Sequence, residues 1–379
     1  MLHTMSPRER VLASLKREPV DRISYCEHLV DPGVVIKAAG GIDKLTSNPE
    51  ILKEASSIPL DRTIKDLEKR EVKLQDMESG LGSFGGTAMS LELEISRFLH
   101  RDNITYWDTL VPFKAGIPYL LDPITFPKLS WNADGILKSR KDLDKMVFHE
   151  TDEVLARAKE FLAHKGDFAA CAMIWLGIDP TWHSMGFSTF CTKLAEDPEL
   201  VEEILSRISN WSARVVEELC KMDFDFIWAA DDIAFRNAPF FSPRMYREIL
   251  LPHTCKVAEK ITLPWIYHSD GNLLPIMDDL LSQDMNAIHP LEPGSMDLVG
   301  LKKRYGHRVT LVGNIDIDLL SRGTPQKVKE QVKDRIKVLG PGYGYILSSS
   351  NSITPACLPE NVEAMIEALL EYGQYPLKT

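Results

Sequence analysis

From residue 151 onward the chain alternates short apolar runs with longer segments of helical periodicity, and this alternation constrains the fold more than any other feature. Strands read at 168–176, 224–230, 264–268, 286–290, 309–312 and 343–347. Between and after them helices read at about 152–164, from 188, at 198–221, 242–260, 296–305, 325–339 and 359–373. Strands separated by helices at this spacing imply a parallel sheet with crossover helices. A further strand at 22–29, RISYCEHL, makes seven, and one more can sit within 100–150. The economical reading is an α/β protein with a closed (β/α)8 TIM barrel; an open doubly wound sheet is the alternative.

Polar residues stand at the end of strand after strand: Glu27 and His28, Asp179, Asp231 and Asp232, His268 and Asp270, His289 and Glu292, Asn314 and Asp316, Ser350 and Asn351. In a barrel such positions converge on the C-terminal mouth, where active sites are built. One of them alone is weak, because an Asp after a strand is often a helix N-cap. Seven endings together describe a pocket of carboxylates and imidazoles, suited to a divalent metal or to positioning protons. His268 and Asp270 are two apart, so on an extended chain both point to one face. A structural His–Asp hydrogen bond is the plainer account of that pair.

The 379 residues fit one elaborated barrel spanning 1–379, with an N-terminal elaboration and an inserted lid region at about 60–150. Within that region, residues 100–150 read as an insertion with a short antiparallel piece. Ser6-Pro7-Arg8-Glu9 reads as a capping box with proline at the first helical position. Gly80, Gly82 and Gly85 fit G-x-G-x-x-G, but the preceding KREVKLQD is too charged for a central parallel strand, so a mobile loop is expected there rather than a dinucleotide site. A net charge of −11 argues against nucleic acid and against anionic membranes, both of which need a basic face. No apolar run reaches membrane-spanning length, and MLHTMSPRER lacks the core of a secretory signal. Six cysteines without a CxxC pair suggest reduced thiols in a cytoplasm, with Cys357 the one thiol in a polar loop.

Several stretches carry a family resemblance: SPRERVLASLKREPVDRI, DDIAFRNAPFFSPRMYREILLPH, HSDGNLLPIMDDLL, GNIDIDLLSRGTPQKV and SSSNSITPACLPENV. Together they resemble the uroporphyrinogen decarboxylase superfamily over nearly the whole chain. The resemblance implies a (β/α)8 barrel. It also implies one of two activities, since the superfamily holds both porphyrinogen decarboxylases and cobamide-dependent methyltransferases. Decarboxylases carry near the N-terminus an arginine-bearing motif that grips the acid side chains of their substrate; the corresponding RISYCEHLVDP lacks it. Their late His before Gly-Ile is replaced by Asn351-Ser352-Ile353. Coenzyme M methyltransferases hold zinc through His-x-Cys and a later Cys; here His268-Ser269-Asp270 keeps the His, and the later Cys falls at Asn351.

The resemblance therefore implies a corrinoid-dependent methyltransferase. It would take a methyl group from a small methylated donor, such as an aryl methyl ether, to a corrinoid carried by a separate protein, since no corrinoid-binding segment is recognisable. His268, Asp270 and Asp232 are the expected catalytic residues and zinc ligands. Glu27, His28, Asp179, Asp231, Asn314 and Asn351 are the expected substrate contacts. A homodimer is compatible with this reading. The alternatives are a decarboxylase of a smaller carboxylated substrate and a barrel that binds without catalysing.

Overall fold

The computed structural model describes residues 4–49, 52, 86–106 and 135–378. Eight strands form its sheet: β1 (Ser24–Tyr25), β2 (Asn103–Tyr106), β3 (Ala169–Trp175), β4 (Phe226–Ala230), β5 (Trp265–His268), β6 (Ala287–His289), β7 (Thr310–Ile315) and β8 (Tyr345–Ser349). Every paired neighbour is parallel, in the order β1-β8-β7-β6-β5-β4-β3-β2, which is the wall of a (β/α)8 barrel rather than an open doubly wound sheet.

The strand expected within 100–150 is β2, and it pairs with β3 in parallel, Asn103 opposite Ala169. Residues 103–106 of that span are thus barrel wall, while Arg140–Lys145 form a 3-10 helix. Residues 107–134, and the glycines at 80, 82 and 85, lie outside the described residues.

The ladder is open only between β1 and β2, and polar side chains bridge that seam. Asp102 donates its N–H to Tyr25 O at 2.8 Å, while its carboxylate accepts from Tyr25 N at 2.9 Å. Asn103 accepts from Glu27 N at 3.1 Å and donates to Glu27 O at 3.0 Å. Asp102 is fully buried, so its charge needs partners; Arg10 and Arg22 supply them at 2.6 and 2.9 Å. Arg10 lies on α1 (Pro7–Leu15), whose capping box forms between Ser6 and Glu9 as the sequence implies.

The remaining helices used below are α2 (Pro32–Ala38), α3 (Gly86–Phe98), α4 (Thr151–Leu162), α5 (Ile178–Met185), α6 (Phe187–Glu196) and α7 (Pro198–Leu219). They continue with α8 (Leu251–Ala258), α9 (Met277–Leu281), α10 (Leu298–Tyr305), α11 (Ile317–Arg322), α12 (Pro325–Leu339) and α13 (Pro359–Tyr372). In α7 the residues Leu200, Ile204, Ile208, Trp211 and Val215 recur every three or four positions and are all buried. Inside the barrel the fully buried Trp228 lies beneath the mouth, its ring 5.6 Å from that of His28 and 5.0 Å from that of His289. A side chain of this size at a buried site is worth about 3–5 kcal/mol against Ala.

Two local readings differ from the sequence expectation. The helix expected over 242–260 is present as Pro243–Ala258, with a π-helical stretch Tyr246–Leu250 ahead of α8, where Pro252 cannot donate a helical hydrogen bond. The stretch 180–187, which the sequence leaves without an element between the strand at 168–176 and the helix from 188, is instead mostly α5. Its start is stabilised from outside: the buried carboxylate of Asp231 accepts the N–H groups of Gly177, Ile178 and Asp179 at 3.2, 3.1 and 2.9 Å. A cap supplied by the next strand is invisible to local periodicity.

Candidate active site

The C-terminal ends of β4, β5, β6 and β8 and the stretch after β1 bring His28, Asp232, His268, Asp270, His289 and Asn351 to the mouth. Parallel pairing sets this up. Ala230 sits opposite His268, and His268 opposite His289, so the polar groups that follow each strand leave the wall at one level. Two groups could each gather round a cation: His28 with His268 and His289, and His268 with Asp232 and Asp270, their ligand atoms all within 4.8 Å of one another.

Each member is held by its neighbours. Asp232 Oδ1 accepts the backbone N–H of Asp270 at 2.9 Å and lies 3.6 Å from His268 Nε2. Asn351 donates its side-chain amide to Asp270 Oδ2 at 2.7 Å, and its own oxygen accepts from Ser352, whose hydroxyl also contacts His28 Nε2 at 3.1 Å. Gly271, with φ of 86°, donates to Glu292 at 3.0 Å. A side chain on Gly271 would strike the carbonyl oxygens of Ala234 and Phe235 at 2.6 Å, so the tight turn after Asp270 requires glycine. His268 and His289 are joined Nδ1 to Nδ1 at 2.7 Å, and His289 Nε2 reaches Ser348 Oγ at 3.2 Å.

Burial governs the electrostatics. It lowers the pKa of all three histidines, and in His28 and His289 the neighbouring imidazoles lower it further. The Asp270 carboxyl is raised first by burial, then by Asp232 and Glu292. Glu27 is fully buried and raised to about 7 by burial, against the opposing hydrogen bonds from Ser349. Asp179 lies 2.8 Å from His183 Nε2, four residues on along α5. Burial raises Asp179 and lowers His183 to about 3, so a neutral carboxyl–imidazole pair sharing one proton is favoured.

The other expected contacts are placed differently. Asp231 spends its carboxylate on the start of α5. Asn314 donates to Leu291 O and accepts from Arg335 at 2.5 Å, facing α12 rather than the cluster. Glu27 accepts from Ser348 and Ser349. Cys357 is buried, with Ser321 Oγ 3.9 Å from its sulfur. His183 was not singled out by sequence; its i, i+4 spacing from Asp179 would have flagged it had α5 been read as a helix.

Beside the cluster opens a cavity of about 520 Å³, lined among others by Arg236, Asp270, Glu292, Asp316, Asp318 and Asn351. Four carboxylates against one guanidinium disfavour a polyanionic occupant. An aromatic group, Trp182, Phe187, Phe235 and Phe240, packs edge to face nearby, with Phe235 48% exposed.

The residues present fit a zinc ion. One imidazole and two carboxylates with an open position form a ligand set of the catalytic kind, and Asp270 Oδ1 is buried without a hydrogen-bond partner. No thiolate joins them, so selectivity for zinc over other divalent metals is weaker than in a Cys-ligated centre.

A sequence profile described as uroporphyrinogen decarboxylase (URO-D) matches residues 182–372, half of the chain. The uroporphyrinogen decarboxylase of Pseudoalteromonas translucida (strain TAC 125) is 29% identical over 142 residues, covering 35% of this chain and 38% of that protein. That of Alkalilimnicola ehrlichii (strain ATCC BAA-1101 / DSM 17681 / MLHE-1) is 23% identical over 381 residues, 95% of this chain and 93% of that protein. The chain thus spans under two fifths of the length of the first relatives it matches and nearly all of a more distant one. Among solved structures, a methyltransferase from Methanosarcina mazei superposes with a TM-score of 0.65 at 18% identity, over 97% of this chain and 99% of that one. At that identity the likeness is one of fold.

Proposed function

The chain belongs to the uroporphyrinogen decarboxylase family, and from that premise we propose that it is a corrinoid-dependent methyltransferase. It takes a methyl group from a small methylated compound, such as an aryl methyl ether, and the acceptor is a corrinoid carried by a separate protein. The observation that carries this reading is the meeting of His268, Asp232 and Asp270 at a mouth whose adjoining cavity is lined by carboxylates. A polycarboxylate porphyrinogen needs cationic partners. Among the described residues the N-terminal arginines serve the wall instead: Arg10 and Arg22 pair with Asp102, and Arg101 with Glu92.

His268, Asp232 and Asp270 would hold zinc, which when bound acts as a Lewis acid on the heteroatom bearing the methyl group. The chain's own residues do the rest. Asn351 orients Asp270. Trp182 donates its indole N–H to Asp232 O at 2.9 Å and fixes the turn after β4. The aromatic cluster of Phe187, Phe235 and Phe240 offers an apolar face beside Asp232 for an aryl group. The proton shared by Asp179 and His183 is available for the departing oxygen or nitrogen.

The test is spectroscopic. Mixed with an aryl methyl ether and a reduced corrinoid protein, the chain should convert the cobalt(I) spectrum to that of methylated cobalt, and His268→Ala should abolish the change. Carbon dioxide release from a carboxylated substrate without methyl transfer would identify a decarboxylase instead. No turnover with either class would leave a binding barrel.

A further inference from the structure

A single line of hydrogen bonds crosses the barrel beneath the mouth, from the stretch just after β1 to the end of β5: Glu27, Ser348, His289, His268. Ser348 Oγ lies 3.2 Å from Glu27 Oε2, His289 Nε2 3.2 Å from Ser348 Oγ, and His289 Nδ1 2.7 Å from His268 Nδ1. Glu27, Ser348 and His289 are fully buried and His268 is 6% exposed.

Counting donors gives the line a direction. The Glu27 carboxylate is met by three donors: the backbone N–H of Ser349 at 2.6 Å, the Ser349 hydroxyl at 2.7 Å and the Ser348 hydroxyl. These donors oppose the burial that raises the carboxyl to about 7, and above that pH the ionised Glu27 accepts only. Ser348 has one hydrogen and gives it to Glu27, so it meets His289 as an acceptor. His289 Nε2 must then carry the ring's hydrogen. A neutral imidazole has one N–H, so His289 Nδ1 is a bare lone pair. His268 Nδ1 must supply the hydrogen between the two rings. The consequence reaches the mouth: His268 Nε2 is left as a lone pair, facing Asp232 Oδ1 at 3.6 Å. Two acceptors face each other there, which is a stable arrangement only with a cation or an added proton between them.

We propose that Glu27 is a positioning residue that, through Ser348 and His289, fixes the tautomer of His268 and so presents Nε2 to the mouth as a ready lone pair. Glu27 touches neither substrate nor metal; it acts through two intermediaries. The proposal rests on the methyltransferase reading only for the use to which the lone pair is put. Outer hydrogen bonds that hold a ligating imidazole in one tautomer are general to metal sites and worth about 10–100-fold in affinity. Here that partner is a second imidazole, oriented in turn by a carboxylate placed at the other end of the sequence.

The test needs neither metal nor substrate. Nitrogen-15 NMR of the metal-free full chain, at about pH 9 where carboxyls and imidazoles are deprotonated, distinguishes the two ring nitrogens of each histidine. His268→Asn and His289→Asn assign the signals. The expected spectrum has hydrogen on Nδ1 of His268 and on Nε2 of His289. Glu27→Gln places an amide N–H₂ where Oε2 stood, so Ser348 becomes an acceptor from residue 27 and a donor to His289. Both rings should then exchange tautomer, and zinc affinity should fall about 10–100-fold. Hydrogen on Nε2 of His268 in the wild type overturns the proposal, whatever the variants do. So does a folded Glu27→Gln protein with the wild-type tautomers. Ser348→Ala cuts the line without touching Glu27 and should leave His268 as a mixture of tautomers; one unchanged tautomer there counts against it. Loss of methyl transfer with the expected tautomers in place would instead refute the proposed activity and leave this inference standing.

Discussion

Asn351 donates its side-chain amide to Asp270 Oδ2 at 2.7 Å, tying the turn after β8 to the turn after β5 across 81 positions of sequence. At these two positions a neutral amide holds a carboxylate, and among the described residues no thiolate stands beside them.

Removing that tie should weaken metal binding without unfolding the barrel. Asn351→Ala leaves Asp270 without the hydrogen bond that orients it, and zinc affinity should fall about 10–100-fold. A competition titration against a chelator of known affinity reads this directly. An unchanged affinity would mean that Asp270 is not a ligand.

Glu27 should leave a signature in the pH dependence of stability. Its carboxyl is raised from 4.5 to about 7, chiefly by burial, with the Ser349 donors and Arg101 opposing and Tyr25 nearby. The folded state therefore keeps a proton that the unfolded chain releases over that range. Stability from this group is complete below pH 4.5 and is lost as pH rises through 7, a change of about 3 kcal/mol. The lowered histidines act in the opposite sense, losing stability only as pH falls, so the comparison is read at about pH 6 and above. The difference in denaturation free energy between wild type and Glu27→Gln should thus shift over that range by part of that amount, against wild type as pH rises. A pH-independent difference would show that Glu27 is ionised throughout.

The seam between β1 and β2 should be a weak point when its charge is removed. Asp102→Ala takes the buried carboxylate from Arg22, 11% exposed, and one of the two carboxylates from Arg10, which keeps Asp21, and it leaves Tyr25 N without its acceptor. A loss of about 3–5 kcal/mol is expected, measured by urea denaturation. A change under about 1 kcal/mol would mean that the ladder bonds alone hold the seam.

Uroporphyrinogen should not be turned over at an enzymatic rate, above about 1 per second. The cavity offers Arg236 against four carboxylates, and Arg10, Arg22 and Arg101 are committed elsewhere. Chromatographic detection of the decarboxylated porphyrinogens at such a rate would sink this expectation.

The barrel was legible in the sequence because its signal is local and repeated. Apolar strands and periodic helices alternate from 151 to the end, and α12 falls at 325–339 as its pattern implies. The polar strand ends were legible for the same reason, since a parallel barrel sends every such end to one mouth. Which of those residues face one another was not. Asp231 and Asp232 are adjacent, yet one caps α5 and the other meets His268. Asn314 ends β7 as expected but bonds to Arg335 of α12. His183 joins Asp179 only because a carboxylate from β4 nucleates a helix where the local pattern reads as loop. Glu27 reaches Ser348 across 321 positions. Periodicity along a chain determines which face of an element is buried. The partner of a buried polar group is chosen by register, closure and the demand that every desolvated donor find an acceptor, and those are set only when the wall closes.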